Sequence, residues 1–195
     1  MAGADHKNYL VRCASPQAIQ AAIRSATQLL QQANTRLQSG PSRISEDDRE
    51  WTPIHHAYVD IFKVEAGDKS MSQVAEIKDR FGYLLQAAKG ILTLCVNGSD
   101  PMAGSQGQMG HTAFAEVSNE SSPTIYFCPA FFGCTPDVQA RTIIHELAHG
   151  RLGATHAGGE FLQFERCGAS PLTSYDDALN NAYTYDLFAD CVISS

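Results

Sequence analysis

No apolar run in this 195-residue chain approaches membrane-spanning length, so no transmembrane segment and no membrane partner is expected. The opening residues, M-A-G-A-D-H-K-N-Y-L-V, lack a hydrophobic h-region, and no signal peptide is read there. Basic residues are scarce: Lys and Arg number 14 against 21 Asp and Glu, a formal net charge of −7. A nucleic-acid binder needs a basic face to neutralise phosphates, and none is available. No two cysteines form a C-x-x-C pair, which argues against a separate cysteine zinc site. No internal repeat interrupts the chain, so residues 1–195 are expected to form one domain, acting as a monomer.

What is present is a globular composition. Hydrophobic residues make up 44% and charged residues 18%, enough to build a core at this length. The six cysteines, Cys13, Cys95, Cys128, Cys134, Cys167 and Cys191, are an even count. They predict disulfides, an oxidising compartment and hence a secreted or extracellular protein.

Ser15-Pro16 is a helix start, and Ile19, Ile23, Ala26, Leu30, Ala33 and Leu37 follow in steps of four and three, an amphipathic helix ending near Gly40. Thr52-Pro53 repeats that start for a shorter helix, where His55 and His56 read as surface residues. A third helix runs from Ser70 or Ser72 to Gly90. The period then changes. Ile91 to Val96, Thr112 to Val117 and Thr124 to Cys128 read as strands, and Ser99 to His111 as a long loop. Phe161 to Arg166 reads as helical, and a last helix starts at Ser174, with Asp177 as capping partner, and ends near Cys191. Helices, a small antiparallel-containing sheet, then helices again make a mainly helical α+β fold.

The chemistry is concentrated in Thr135 to Gly153, which carries His145-Glu146-Leu147-Ala148-His149. Residues four apart share a helix face, so both imidazoles can reach one ion. Glu146 stands one position on, able to act as a base on metal-activated water without being a ligand. Thr135 and Pro136 start the helix, and Val138, Ile143, Ile144 and Leu147 give it an apolar side; Gly150 and Gly153 are candidate stops.

Four segments make the chain resemble the aspzincin metallopeptidases, the deuterolysins and peptidyl-Lys metalloendopeptidases among them. Cys13-Ala14-Ser15 leads into an Ala/Gln-rich helix. Ile125 to Phe132 looks like the family's cysteine-containing strand and aromatic loop. Cys134 stands eleven residues before His145. Ala178 to Ala189, A-L-N-N-A-Y-T-Y-D-L-F-A, resembles the family's C-terminal helix. The resemblance implies a zincin-like fold, one catalytic Zn²⁺ and endopeptidase activity on protein or peptide substrates, with an edge strand, here Ala113 to Val117, pairing with the substrate. It also implies a Cys134–Cys191 bridge, with Cys13–Cys95 and Cys128–Cys167 as one arrangement of the rest.

The chain departs from the family at the third ligand. The family's G-T-x-D-x-x-Y-G motif, which supplies an Asp ligand and a carbonyl-polarising Tyr, is missing. Its place is taken by Gly153 to Phe164. Glu160 is the first choice for the third ligand, because it keeps two histidines and one carboxylate; the alternative is His156, giving three histidines. Asp176 and Asp177 read as capping acids. Tyr175, Tyr183 and Tyr185, and His111 from the long loop, are candidates near the cleft. The reading is therefore a zinc-dependent endopeptidase with ligands His145, His149 and Glu160 (or His156) and Glu146 as general base. Its alternatives are a weakly active or inactive binding module on the same fold, supported by the missing motif, or a secreted effector or toxin peptidase.

Overall fold

In a computed structural model, which describes residues 15–45, 52–95, 112–117, 119–159 and 170–194, the first helix, α1, runs Pro16–Ser39. Its buried stripe is Ile19, Ala22, Ala26, Leu30, Ala33 and Leu37. Ala22 takes the fully buried position and Ile23 only packs against the core's edge. Helix α2, Pro53–His56, continues directly into a π-helical turn, Ala57–Ile61. That wider turn presents Ala57, Tyr58 and Ile61 to the core. Helix α3 spans Ser70–Ala88 and buries Val74, Ile77, Phe81, Leu84 and Leu85.

Three short strands follow: β1 Leu92–Cys95, β2 Ala113–Ala115 and β3 Thr124–Phe127. Their order is β1-β3-β2, with β1 parallel and β2 antiparallel to β3. The sheet is thus mixed, and β2 is an edge strand. A single 3₁₀ turn, Pro129–Gly133, leads into α4, Pro136–Leu152. Helix α4 lies against α1, α3 and the sheet. The segment read as one C-terminal helix is two: α5, Tyr175–Leu179, and α6, Ala182–Ser194. The break falls at Asn180 and Asn181. There the Leu179 carbonyl accepts from Tyr185 Oη at 2.7 Å and Arg80 Nη1 at 3.0 Å. Long-range partners thus take a helix-end carbonyl that would otherwise need a cap.

The core joins these helices through aromatic rings. Phe62, Phe81, Tyr185 and Phe188 pack with centroids 5.0 to 6.3 Å apart, in tilted and edge-on geometries that such rings favour. The result is mainly helical with a small three-stranded sheet, an α+β fold.

Several expectations change. Val138 is 44% exposed rather than part of the apolar side of α4. The Cys134–Cys191 bridge is not formed: Cys134 keeps its thiol, which turns into the 3₁₀ turn and donates to the Ala130 carbonyl at 3.5 Å. Cys128 likewise keeps a buried thiol, so a Cys128–Cys167 bridge is not formed. Cys95 is disulfide-bonded, to a partner outside the described residues. The loop over 99–111 with His111, the helical reading of 161–166, and Cys13 and Cys167 also lie outside the described residues.

Gly150 is not the stop of α4; it packs against Pro123, the residue before β3. A Cβ there would sit 2.4 Å from Pro123 Cβ, a ring atom with little room to yield. Gly150→Ala would gain about 1 kcal/mol of helix propensity but overpack the contact by about 1–3 kcal/mol. Chemical denaturation should show a net loss of stability.

Helices α4 and α6 are further linked by charge. Arg141 of α4 lies 3.6 Å from Asp186 and 3.7 Å from Asp190. Burial pushes the Asp186 carboxyl up to about 7 from its ordinary 3.8, although Arg141 pulls it the other way. Between those two values the native state holds a proton that the unfolded chain has released. This group therefore makes stability fall as pH rises from about 4 to about 7. Asp186→Asn should flatten the fall, seen as a stability difference from the parent that changes across that window and levels off outside it.

Candidate metal centre

Helix α4 is set before it reaches the site. Thr135 Oγ1 accepts from the Val138 N–H, Pro136 opens the first turn, and Asp137 complements the positive end of the helix dipole. At the other end Gly153 adopts φ 65°, ψ 19°, and its N–H returns to the Ala148 carbonyl. That left-handed closure suits glycine. It turns the chain sharply back after one more residue, Ala154, whose carbonyl lies 2.7 Å from His149 Nδ1.

That contact fixes the chemistry of His149. A carbonyl only accepts, so Nδ1 carries the hydrogen and Nε2 presents a lone pair. His149 Nε2 is 3.1 Å from His145 Nε2, and His145 Nε2 is 3.2 Å from His156 Nε2. One ligand atom from each of the three residues lies within 4.8 Å of the others. Tetrahedral Zn–N bonds of 2.0–2.1 Å place their nitrogens about 3.3 Å apart. The donor set therefore fits a zinc ion.

Electrostatics agree with the geometry. His145 and His149 are buried, each 8% exposed. Burial drives the His145 imidazole well below its usual range, with the neighbouring His149 and His156 adding to it. Burial also lowers His149, against the Ala154 hydrogen bond. Neutral imidazoles are the form that ligates a metal.

Glu146 points from the same helix toward the sheet. It is 6% exposed, and burial pushes its carboxyl up to about 8, opposed by a hydrogen bond from the Ala115 N–H. The strand register explains why that N–H is available. The Cys128 N–H bonds to the Thr112 carbonyl, so 112/128 is a hydrogen-bonded pair. Alternation then leaves the peptide groups of Ala113 and Ala115 pointing away from β3. The outer edge of β2 therefore faces the helix that carries Glu146. The Cys128 thiol is near enough for the Glu146 charge to add to the effect of burial in raising it.

Of the two third-ligand candidates, His156 is brought to His145 and His149, whereas Glu160 lies outside the described residues. Tyr183 sits against the cluster, its ring 4.3 Å from that of His145 and stacked at 5.0 Å on that of His156. Tyr175 and Tyr185 are engaged elsewhere, with Gln73 and Glu76 and with Leu179 respectively. Asp177 accepts from Ser174 Oγ at 2.7 Å, a capping role. His55 caps its own short helix through Thr52. Two features were not anticipated from sequence: the Ala115 hydrogen bond to Glu146, and a tight turn after His156. The only signal of the latter is the pair Gly158-Gly159, both at positive φ.

The family described as lysine-specific metallo-endopeptidase, the aspzincins, matches residues 54–190. Among solved structures, a zinc peptidase from Grifola frondosa superimposes with a TM-score of 0.63 at 18% identity, covering 91% of this chain and 96% of that one. That likeness is one of fold. No curated protein matches the sequence. The match to the family extends over more than half of the sequence, and the chain belongs to the aspzincin family of zinc metallopeptidases.

Proposed function

We propose that the chain is a zinc-dependent endopeptidase in which His145, His149 and His156 hold the metal and Glu146 is the general base. The observation that carries this reading is the convergence of three imidazole nitrogens, two of them on buried residues, with one tautomer fixed by a backbone carbonyl. Zinc held there supplies a Lewis acid that polarises a carbonyl and acidifies water.

The remaining roles belong to the chain itself. Glu146 adjoins His145 and is fixed by the Ala115 N–H, so its carboxylate is held in one place. Alone, it favours the protonated form near neutral pH; a cation bound by its neighbours favours the ionised form, the one able to act as a base. Glu146 then takes the proton of the water that adds to the peptide carbonyl and returns it to the departing amine. The substrate backbone adds along the outer edge of β2, where the Ala113 peptide groups face away from β3.

The inactive-module reading rests on the missing G-T-x-D-x-x-Y-G motif. The presence of Glu146 weighs against it, since a structural zinc site needs no base.

Glu146→Gln should lower casein cleavage by roughly 10²–10⁴-fold while metal content stays at the parent level; parent-like cleavage would sink the mechanism. His156→Ala should weaken zinc by more than the roughly 10–100-fold that outer-shell changes cost, and Glu160→Ala should not. The reverse order, read by chelator competition, would return the third-ligand role to Glu160.

A further inference from the structure

We propose that Asn181 is a positioning residue for the metal site: its single amide fixes both the loop that presents His156 and the helix turn that presents Tyr183. The inference rests on His156 being the third ligand. It adds the reason that a residue seven positions beyond His149, with no helix to carry it, arrives at the cluster.

His156 lies on a short irregular segment. Gly158 and Gly159 adopt φ values of 76° and 117°, and the Gly159 N–H closes on the His156 carbonyl at 2.9 Å. A turn of this kind turns carbonyls outward and needs partners for them. Asn181, fully buried at 0% exposure, provides them. Its Nδ2 donates to the Ala157 carbonyl at 2.6 Å and to the Gly159 carbonyl at 3.0 Å. The backbone on either side of it joins in. The Thr155 N–H donates to the Asn180 carbonyl at 2.8 Å, and the Ala182 N–H donates to the Thr155 carbonyl at 2.9 Å. His156 is therefore held between two anchored points, Thr155 before it and Ala157 after it.

The other end of the same amide acts on α6. Asn181 Oδ1 accepts from the Tyr183 N–H at 3.0 Å, an N-cap on the second residue of that helix. Tyr183 then stacks on His156 and contacts His145. One side chain thus links the third imidazole to the ring that covers it. An amide is the residue type that can do this. Two N–H donors meet two carbonyls while the oxygen meets an N–H, and no charge is left in the buried site. Aspartate has the same shape but no donors.

The test is zinc affinity, measured by competition with a chromophoric chelator on the full chain, with the d–d absorption of the Co²⁺ form as a second readout. Asn181→Asp keeps the cap on Tyr183 and loses both donors to the loop. It should raise the zinc dissociation constant roughly 10–100-fold and alter the Co²⁺ spectrum. If it does not fold, Asn181→Ser is measured in its place, with the same expectation. Leu37→Ala, a core change in α1 away from the site, controls for lost stability and should bind zinc and Co²⁺ as the parent does. Parent-like affinity and spectrum in a folded Asn181 variant overturn the proposal, as does an affinity loss no larger than that of Leu37→Ala. His156→Ala separates the two layers. If it binds zinc as tightly as the parent, the three-histidine reading itself fails. If it weakens binding and the Asn181 variants do not, only the positioning role fails.

Discussion

Three imidazole nitrogens brought within 4.8 Å of one another make the constraint on which the rest of the structure depends. Neutral imidazoles are dipoles, and crowding their lone pairs in a buried place is unfavourable unless a cation or a proton lies between them. Burial and mutual repulsion push the protonated forms away at His145. A divalent ion satisfies all three at once. The surrounding fold is best understood as the apparatus that holds them in this crowded state.

That apparatus has a rigid part and a stitched part. The rigid part is α4, capped at Thr135 and closed at Gly153, which sets His145 and His149 by helical repeat alone. Its Gly150 packs on Pro123, and its Glu146 accepts from the Ala115 N–H on the outer edge of β2. The stitched part is the segment from Thr155 to Gly159, which has no repeat of its own and is held by hydrogen bonds to residues 180–182. The two parts meet at the Ala154 carbonyl, which ends the turn after α4 and also fixes the tautomer of His149. The aspzincin fold is thereby retained, with a histidine in the cluster where the family's aspartate motif is missing.

The local part of this was legible in the sequence. The steps of three and four in α1, the Thr135-Pro136 start of α4 and the spacing of His145 and His149 are short-range signals, and the structure follows them. What was not legible depends on long-range partners. The break between α5 and α6 falls at Asn180-Asn181, inside a stretch whose apolar spacing reads as one helix; Arg80, Tyr185 and the loop around His156 take up the groups freed there. The position of His156 depends on two glycines at positive φ and on a side chain 25 residues away, so a reading that kept two histidines and one carboxylate chose Glu160 instead. The implied Cys134–Cys191 bridge failed for a similar reason. A resemblance cannot show which way a thiol turns, and Cys134 turns toward Ala130.

The most direct measurement is zinc K-edge X-ray absorption on the zinc-loaded full chain. The expected first shell is three imidazole nitrogens at about 2.0–2.1 Å with an exchangeable oxygen completing it. A shell of two imidazoles and a protein carboxylate, or a chain that takes up no zinc, would contradict it.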